Sequence, residues 1–263
     1  MAFATIEPEQ SNNFLNNVRL IATDMDGTLT QQGKFRANLL QAFEDLKTAG
    51  IPVLIVTGRS AGWVNGLANY LPVAGAIAEN GGLFYQSEGS LPVALTPISD
   101  LGRHRQELSQ VYQHLKTEFP QIQESTDNRF RLTDWTFENH QLNLSQLERL
   151  QTMCATMGWG FTYSSVQCHI KLVSQDKAVG LLKVLDDYFP QYAPEQVMTI
   201  GDSPNDASLF NREVFPLSIG VANVLNYADE LPHQPAYVTQ AAEGEGFCEL
   251  VKYLRSRFMI DSL

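Results

Sequence analysis

Residues 51–63, IPVLIVTGRSAGW, admit two readings, and the choice between them decides the fold. An apolar, β-branched run ends at Thr57, and Gly58-Arg59-Ser60-Ala61-Gly62 follows. That pentapeptide matches the G-x-S-x-G elbow, in which a serine on a sharp strand-to-helix turn becomes a nucleophile. The other reading takes residues 51–57 as a parallel strand covered on both faces. Thr57 and Gly58 then stand at its carboxyl end, and Ser60 opens a helix as its N-cap.

The flanking sequence favours the second reading. Residues 18–24, VRLIATD, predict a strand ending at a carboxylate. Leu39, Phe43 and Leu46 stripe a helix over 36–49, stopped by Gly50. A helix is expected from Ser60 to about Tyr70, and a strand over Ala74–Ala78 leads into Glu79-Asn80-Gly81-Gly82. Strand and helix therefore alternate, as in a doubly wound, Rossmann-like parallel sheet. The alternation resumes with a helix striped by Val179, Leu182, Leu185 and Phe189. Strands follow at Gln196–Gly201, Phe215–Gly220 and Ala236–Thr239, with a short helix at Ser208 and Leu209. A closing helix runs from Gly246 to Phe258.

Between these halves the rhythm changes. Leu101, Leu108, Val111, Leu115 and Phe119 predict one helix; Leu147, Leu150, Cys154 and Met157 predict another. Short strands are expected near 129–133, 159–163 and 167–173. The expected organisation is a lead-in over 1–17, flexible and without fixed structure, an α/β core over 18–83 and 173–263, and an inserted α+β cap over 84–172.

Composition narrows the function classes. The 263 residues carry a net charge of −11, with 44% hydrophobic and 18% charged residues. An acidic chain lacks the basic face that nucleic acid requires. No apolar run reaches the roughly 18 residues of a membrane span. The start, MAFATIEPEQSNNFLNN, lacks the basic-then-apolar order of a signal peptide. Three cysteines without a C-x-x-C pair predict no disulfide framework or zinc site. The expectation is a cytoplasmic protein with a small-molecule partner, binding neither nucleic acid nor membrane.

Ligands of open parallel sheets bind beyond the carboxyl ends of the strands. Four predicted strands end in polar groups: Asp24-Met25-Asp26-Gly27-Thr28, Thr57-Gly58-Arg59, Asn80-Gly81 and Gly201-Asp202-Ser203-Pro204-Asn205-Asp206. Two carboxylates two residues apart beside a glycine turn suit Mg2+ and a phosphoryl group. A calcium loop would need Gly at its sixth position and Glu at its twelfth, where Leu29 and Phe35 stand. Each motif alone is as compatible with an Asx turn. Together at one sheet edge they predict a site.

DMDGTLT, IVTGR, Lys177 and GDSPND resemble, in that order, the four motifs of the haloacid dehalogenase-like phosphatase superfamily. AENGG and the placement of the insert are similar to the Cof-type branch with a large α+β cap, which includes sugar-phosphate phosphatases. Ser218–Val224 departs from the Cof-type pattern, and the following NYADELPHQP is closer to the sucrose-phosphatase branch. The resemblance implies a Mg2+-dependent phosphomonoester hydrolase working through an aspartyl-phosphate on a small phosphorylated metabolite of the sugar-phosphate class. It implies Asp24 as nucleophile and Asp26 as general acid/base. It implies Thr57, with Gly58 and Arg59 beside it, as phosphate holder, and Lys177 as the lysine that neutralises nucleophile and phosphate, with Lys171 as competitor. The implied metal ligands are the Asp24 carboxylate, the Asp26 carbonyl and Asp202, with Asp206 supporting the metal through water.

Asn80 and Asn205 are further candidates for phosphate or substrate contact. In the insert, Arg129, Arg131, His169 and Lys171 are candidates to hydrogen-bond sugar hydroxyls or a second anion. His104, His114 and His140 are expected to be solvated. Trp63, Trp135 and Trp159 are expected to pack in the core or cap. A phosphomutase is the alternative within the fold. A serine hydrolase would use Ser60 with Asp176 or Asp202 and His233, but it leaves DMDGT and GDSPND without a role.

Overall fold

The computed structural model describes residues 4–5, 15–87, 89 and 91–258. In chain order the elements are β1 (Ala4–Thr5), β2 (Leu20–Thr23), α1 (Ala37–Thr48), β3 (Val53–Val56), α2 (Ala61–Tyr70), β4 (Gly75–Ala78), β5 (Leu83–Gln86) and β6 (Val93–Ala94). Then come α3 (Leu101–Glu118), β7 (Trp135–Glu138), α4 (Leu144–Thr156), β8 (Gly160–Tyr163) and β9 (Gln167–Lys171). The chain continues through α5 (Lys177–Tyr188), β10 (Val197–Gly201), β11 (Leu217–Gly220), β12 (Tyr237–Val238) and α6 (Glu243–Phe258).

Among the described residues, nine strands form one sheet in the order β1-β12-β11-β10-β2-β3-β4-β5-β6. Pairing is parallel from β1 to β4, and β5 and β6 add antiparallel. Alternate side chains divide between the two faces, as the two-residue strand period requires. Ile21, Val53, Ile55 and Ile200 pack under α1, α2 and α6, with Phe43, Val64 and Phe247. Leu20, Ala22, Leu54 and Val56 pack under α5, with Leu181 and Val184. The strands are uninterrupted apolar runs because both faces are covered.

A second sheet, β7-β9-β8, is antiparallel and packs with α3 and α4 around Leu108, Tyr112, Leu115, Phe137, Leu150 and Ile170. The large sheet continues through Leu83–Gln86 and Val93–Ala94, all but Leu83 of which the sequence reading assigned to the insert.

Three further expectations are corrected. The strand expected near 129–133 is a 3-10 turn, Asn128–Phe130, and the strand begins at Trp135. The amides of Leu132 and Thr133 donate to the Glu79 carboxylate and are not free to join a ladder. Part of the expected flexible lead-in is built into the fold. Ala4–Thr5 pairs with Tyr237–Val238, and residues 15–17 form a 3-10 turn with Leu15 buried. The rest of that lead-in lies outside the described residues. His104, expected in solvent, is buried, with Nε2 2.9 Å from the Thr133 carbonyl. Among the described residues, no helix is long and apolar enough to cross a membrane.

Candidate active site

Four strand ends converge. Directly after β2, Asp24 is buried, and its Oδ1 accepts from Lys177 Nζ at 2.6 Å. Lys177 opens α5 and is 1% exposed. Its ammonium also donates to Asp206 Oδ1 at 2.7 Å. Asp206 turns its other oxygen back to the amides of Asp202 and Ser203, at 2.9 and 3.1 Å, and so shapes the turn after β10. Asp202 follows that strand. Its Oδ1 accepts from the Thr28 hydroxyl at 3.0 Å, and its Oδ2 from Asn223 Nδ2 at 2.9 Å. Gly27 makes this approach possible. It has φ 78°, and a Cβ there would meet Asp202 Oδ2 at 2.4 Å. A glycine takes that conformation without steric cost.

The cluster is short of positive charge. Burial, with Asp206 and Asp26 nearby, raises the Asp24 carboxyl to about 7 despite Lys177. Burial, with Asp24 and Asp206, raises Asp202 well above its ordinary value. Burial works against the charge of Lys177, but Asp206 and Asp24 outweigh it and raise its pKa. One ammonium thus faces three carboxylates, and one oxygen from each lies within 4.8 Å of the others. Oxygen donors with a surplus of negative charge match a hard divalent cation such as Mg2+. Asp206 is already committed to Lys177 and two amides, so Asp24 and Asp202 are better placed as direct ligands, and Asp206 holds the frame. The residues present fit the ion.

Asp26 is half-buried and pairs with Arg59, which donates Nε and Nη2 to its two oxygens at 2.7 and 2.6 Å. Arg59, counted at the sequence level with the phosphate holders, is thus bound to the expected acid/base. Its guanidinium also lies 4.8 Å from the ring centroid of Trp63, which is 48% exposed and not a core residue. Thr57 Oγ1 accepts from the Arg59 amide at 3.2 Å, so its own proton is directed elsewhere. Asn205 Nδ2 donates to Asn80 Oδ1 at 3.1 Å, joining two of the predicted strand ends.

The cap closes over this floor. Asp24, Asp26, Thr57, Gly58 and Arg59 from the core share a cavity of about 10 Å³ with Gln167 and His169 from β9. Arg131 is buried. It donates to Asp127, Asp134 and Gln167 of the cap and to the Gly58 carbonyl of the core, all at 2.9 Å. Its donors are therefore spent on structure and are not available to substrate. Arg129 is exposed and lies over Phe130. Lys171 Nζ donates to the Gln175 carbonyl and stands away from Asp24, so Lys177 is the lysine of the cluster.

Ser60 occupies the N-cap position of α2, but its hydroxyl is buried without a hydrogen-bond partner. Among the described residues no histidine or carboxylate reaches it, Asp176 caps α5, and His233 is exposed, so these residues do not form the serine-nucleophile arrangement. The cap bond expected of Ser60 is made by Glu79, whose Oε1 accepts the Ala61 amide at 2.8 Å. Sequence reasoning missed four contributors: Glu79, Asp134, Thr28 and Asn223. Thr28 stands inside DMDGT and was available as a hydroxyl next to a carboxylate site. Glu79 stands inside AENGG, while Asp134 and Asn223 carry no motif and only the fold brings them in.

A profile of the haloacid dehalogenase-like hydrolases matches residues 21–141, the span holding the first three strand ends and the first part of the cap. The phosphoglycolate phosphatase of Methanothrix thermoacetophila is 27% identical over 246 residues, covering 92% of this chain and all of the relative. That of Methanothermobacter thermautotrophicus is 29% identical, covering 92% and 99%. Among solved structures, a protein of Thermoplasma acidophilum matches with a TM-score of 0.72 and 20% identity, over 90% of this chain and 98% of that one. The sucrose-phosphatase of Synechocystis, solved with sucrose and phosphate, matches at 0.67 and 17%, over 89% and 97%. The shared fold therefore runs well past residue 141, through the second half of the core.

Proposed function

We propose that this protein is a Mg2+-dependent phosphomonoesterase of the haloacid dehalogenase-like type, acting on a small phosphorylated metabolite of the sugar-phosphate class, with Asp24 as nucleophile. The observation that carries the reading is the buried Asp24–Lys177–Asp206 chain beside Asp202. A carboxylate can attack a phosphate dianion only where positive charge is already in place, and phosphoryl transfer depends mostly on such positioning. Lys177 supplies one charge within 2.6 Å of the nucleophile. Mg2+, when bound by Asp24, Asp202 and the Asp26 carbonyl, would supply the rest by neutralising charge on the phosphoryl oxygens.

In the first step an oxygen of Asp24 attacks phosphorus, and the bond to the ester oxygen breaks. Asp26 donates a proton to that leaving oxygen, which requires its pair with Arg59 to open. Asp26 then takes a proton from water, and the hydroxide attacks phosphorus and releases the Asp24 carboxylate and phosphate. The Thr57 hydroxyl and neighbouring amides hold the phosphoryl oxygens, and the closed cap keeps bulk water from the first step. The curated relatives named as phosphoglycolate phosphatases support a small substrate.

Phosphate release from a panel of sugar phosphates, 2-phosphoglycolate and p-nitrophenyl phosphate tests this reading. Activity should vanish in EDTA, return with Mg2+, and fall by at least about 10³-fold in Asp24→Asn with the fold retained. Full turnover in chelator, or in the Asp24 variant, would overturn the mechanism.

A further inference from the structure

Two polar groups that the chemistry above does not use meet over Gly58. A Cβ on that glycine would stand 3.1 Å from His169 Nε2 and 3.2 Å from Asn80 Nδ2. The lack of a side chain at Gly58 lets a donor and a ring nitrogen approach this backbone closely from two different elements. Asn80 is 1% exposed and held in the left-handed region at φ 52°, directly after Glu79 at the same angle. Such backbone is uncommon for residues other than glycine and is found most often where a site requires it. Asn80 Oδ1 accepts from Asn205, but Nδ2 is buried without any partner. An unpaired buried donor is costly, so the one aimed at this point calls for a partner from outside the chain.

The other group has a defined orientation. His169 Nδ1 lies 2.9 Å from Asp134 Oδ2, and Asp134 also accepts two bonds from Arg131 Nη1, at 2.9 and 3.0 Å. Burial opposes the charge of Asp134, but Arg131 and His169 outweigh it and hold the carboxyl below its ordinary value. A carboxylate accepts only, so the imidazole proton sits on Nδ1 and Nε2 presents its lone pair. Burial also keeps the imidazole below its ordinary value of 6.5, although Asp134 acts the other way. Nε2 is therefore an acceptor at neutral pH, next to an amide donor.

We propose that His169 and Asn80 together bind a hydroxyl group of the leaving alcohol, close to the ester oxygen. A hydroxyl accepts from Asn80 Nδ2 while donating to His169 Nε2. A carboxylate has no proton to give, and a methyl group leaves both partners unpaired. His169 lines the same cavity as Asp24 and Asp26, and Asn205 joins that cavity to the adjoining one lined by Asn80. The hydroxyl is thus read beside the reacting atoms. This assignment rests on the phosphomonoesterase reading and makes its substrate a hydroxylated phosphoester, as sugar phosphates are.

The test compares kcat/KM for 2-hydroxyethyl phosphate, ethyl phosphate and 2-phosphoglycolate, which differ only in the group beside the ester carbon. The native enzyme should prefer the hydroxylated ester over ethyl phosphate by at least about tenfold, because the analogue leaves the site's polar groups unpaired. His169→Ala and Asn80→Asp, on separate elements, should each bring that ratio to within about threefold of one, whatever either does to the absolute rate. His169→Gln, whose amide oxygen can accept the same bond, should keep part of the preference. Ratios are insensitive to the folded fraction, so a poorly folding variant still reports. A native ratio near one overturns the inference, and so does an equal loss on both esters. So does a preference for 2-phosphoglycolate that His169→Ala removes, which would make the bound group a carboxylate. If no ester releases phosphate in an Asp24-dependent way, the function itself falls and the inference falls with it. Asp24-dependent release with an unmoved ratio removes the inference alone.

Discussion

Ser60 shows how a residue can hold a favoured position without performing the task expected there. It stands at the N-cap of α2, yet its Oγ is buried and unbonded, and Glu79 accepts the first free amide of the helix. Replacing a working Ser cap by Ala costs about 0.5–2 kcal/mol. Removing a buried hydroxyl that has no partner is instead neutral or slightly stabilising. Ser60→Ala is therefore expected to leave stability unchanged or raise it by up to about 1 kcal/mol in urea unfolding, and to leave phosphate release within about twofold. A loss of more than about 1 kcal/mol would show that the hydroxyl does cap the helix, and a dead enzyme would reopen the serine reading. The carboxylates Asp24, Asp26, Asp202 and Asp206 were legible because each stands at the end of an apolar run. The lysine was not settled by sequence, since Lys171 and Lys177 are both flanked by polar and apolar residues. Packing separates them: Lys171 ends β9 and turns to the Gln175 carbonyl, whereas Lys177 opens α5 toward Asp24.

At the scale of elements, β2, β3, β4, β10 and β11 fall where the apolar runs predict, because a parallel strand buried on both faces is written continuously in the sequence. The segment before β7 was misread, and the reason is a long-range bond. Glu79, between β4 and β5, accepts from the amides of Ala61, Leu132 and Thr133 and from the Thr133 hydroxyl. One side chain thereby caps α2 and draws cap residues 132–133 out of any ladder. Nothing local at residues 129–133 encodes a partner more than fifty residues away in the chain. Glu79→Ala would orphan the buried amides of Ala61 and Thr133 and the part-buried amide of Leu132, each buried one costing about 1–3 kcal/mol, while relieving the burden of a buried charge. Burial, with Asp134 nearby, raises the Glu79 carboxyl above its ordinary value, which is the sign of that burden. The amides should dominate, and the variant is expected to lose roughly 3 kcal/mol or more in urea unfolding at pH 7. A loss below about 1 kcal/mol would mean that water or a shifted backbone replaces the carboxylate.

At the scale of the whole molecule, two sheets of different origin meet at one seam, and that seam is the least legible part of the sequence. Charge patterns and periodicity describe each half, but they do not state which cap residue touches which core residue. Among the contacts that cross it are three: Arg131 to the Gly58 carbonyl, the Leu132 and Thr133 amides to Glu79, and Tyr163 Oη to Glu230 Oε2 at 2.5 Å. A cavity of about 10 Å³ between the halves holds about one water, so on the phosphomonoesterase reading a phosphoester is expected to enter with the cap parted from the core. The first two contacts use backbone groups next to the site. The third joins two partly buried side chains, one on β8 and one in the loop after β11, and it can break without disturbing the floor. Its formation on closure adds to the apparent affinity for substrate. A hydrogen bond to a charged group contributes about 1.5 kcal/mol, so Tyr163→Phe is expected to raise KM about tenfold. The chemical step should keep its rate, because no reacting atom is touched, and kcat should stay level or rise if reopening limits turnover. Steady-state kinetics on one good substrate separates the outcomes. An unchanged KM would show that the Tyr163–Glu230 bond takes no part in closure, and a fall in kcat with KM fixed would place Tyr163 in the transition state instead.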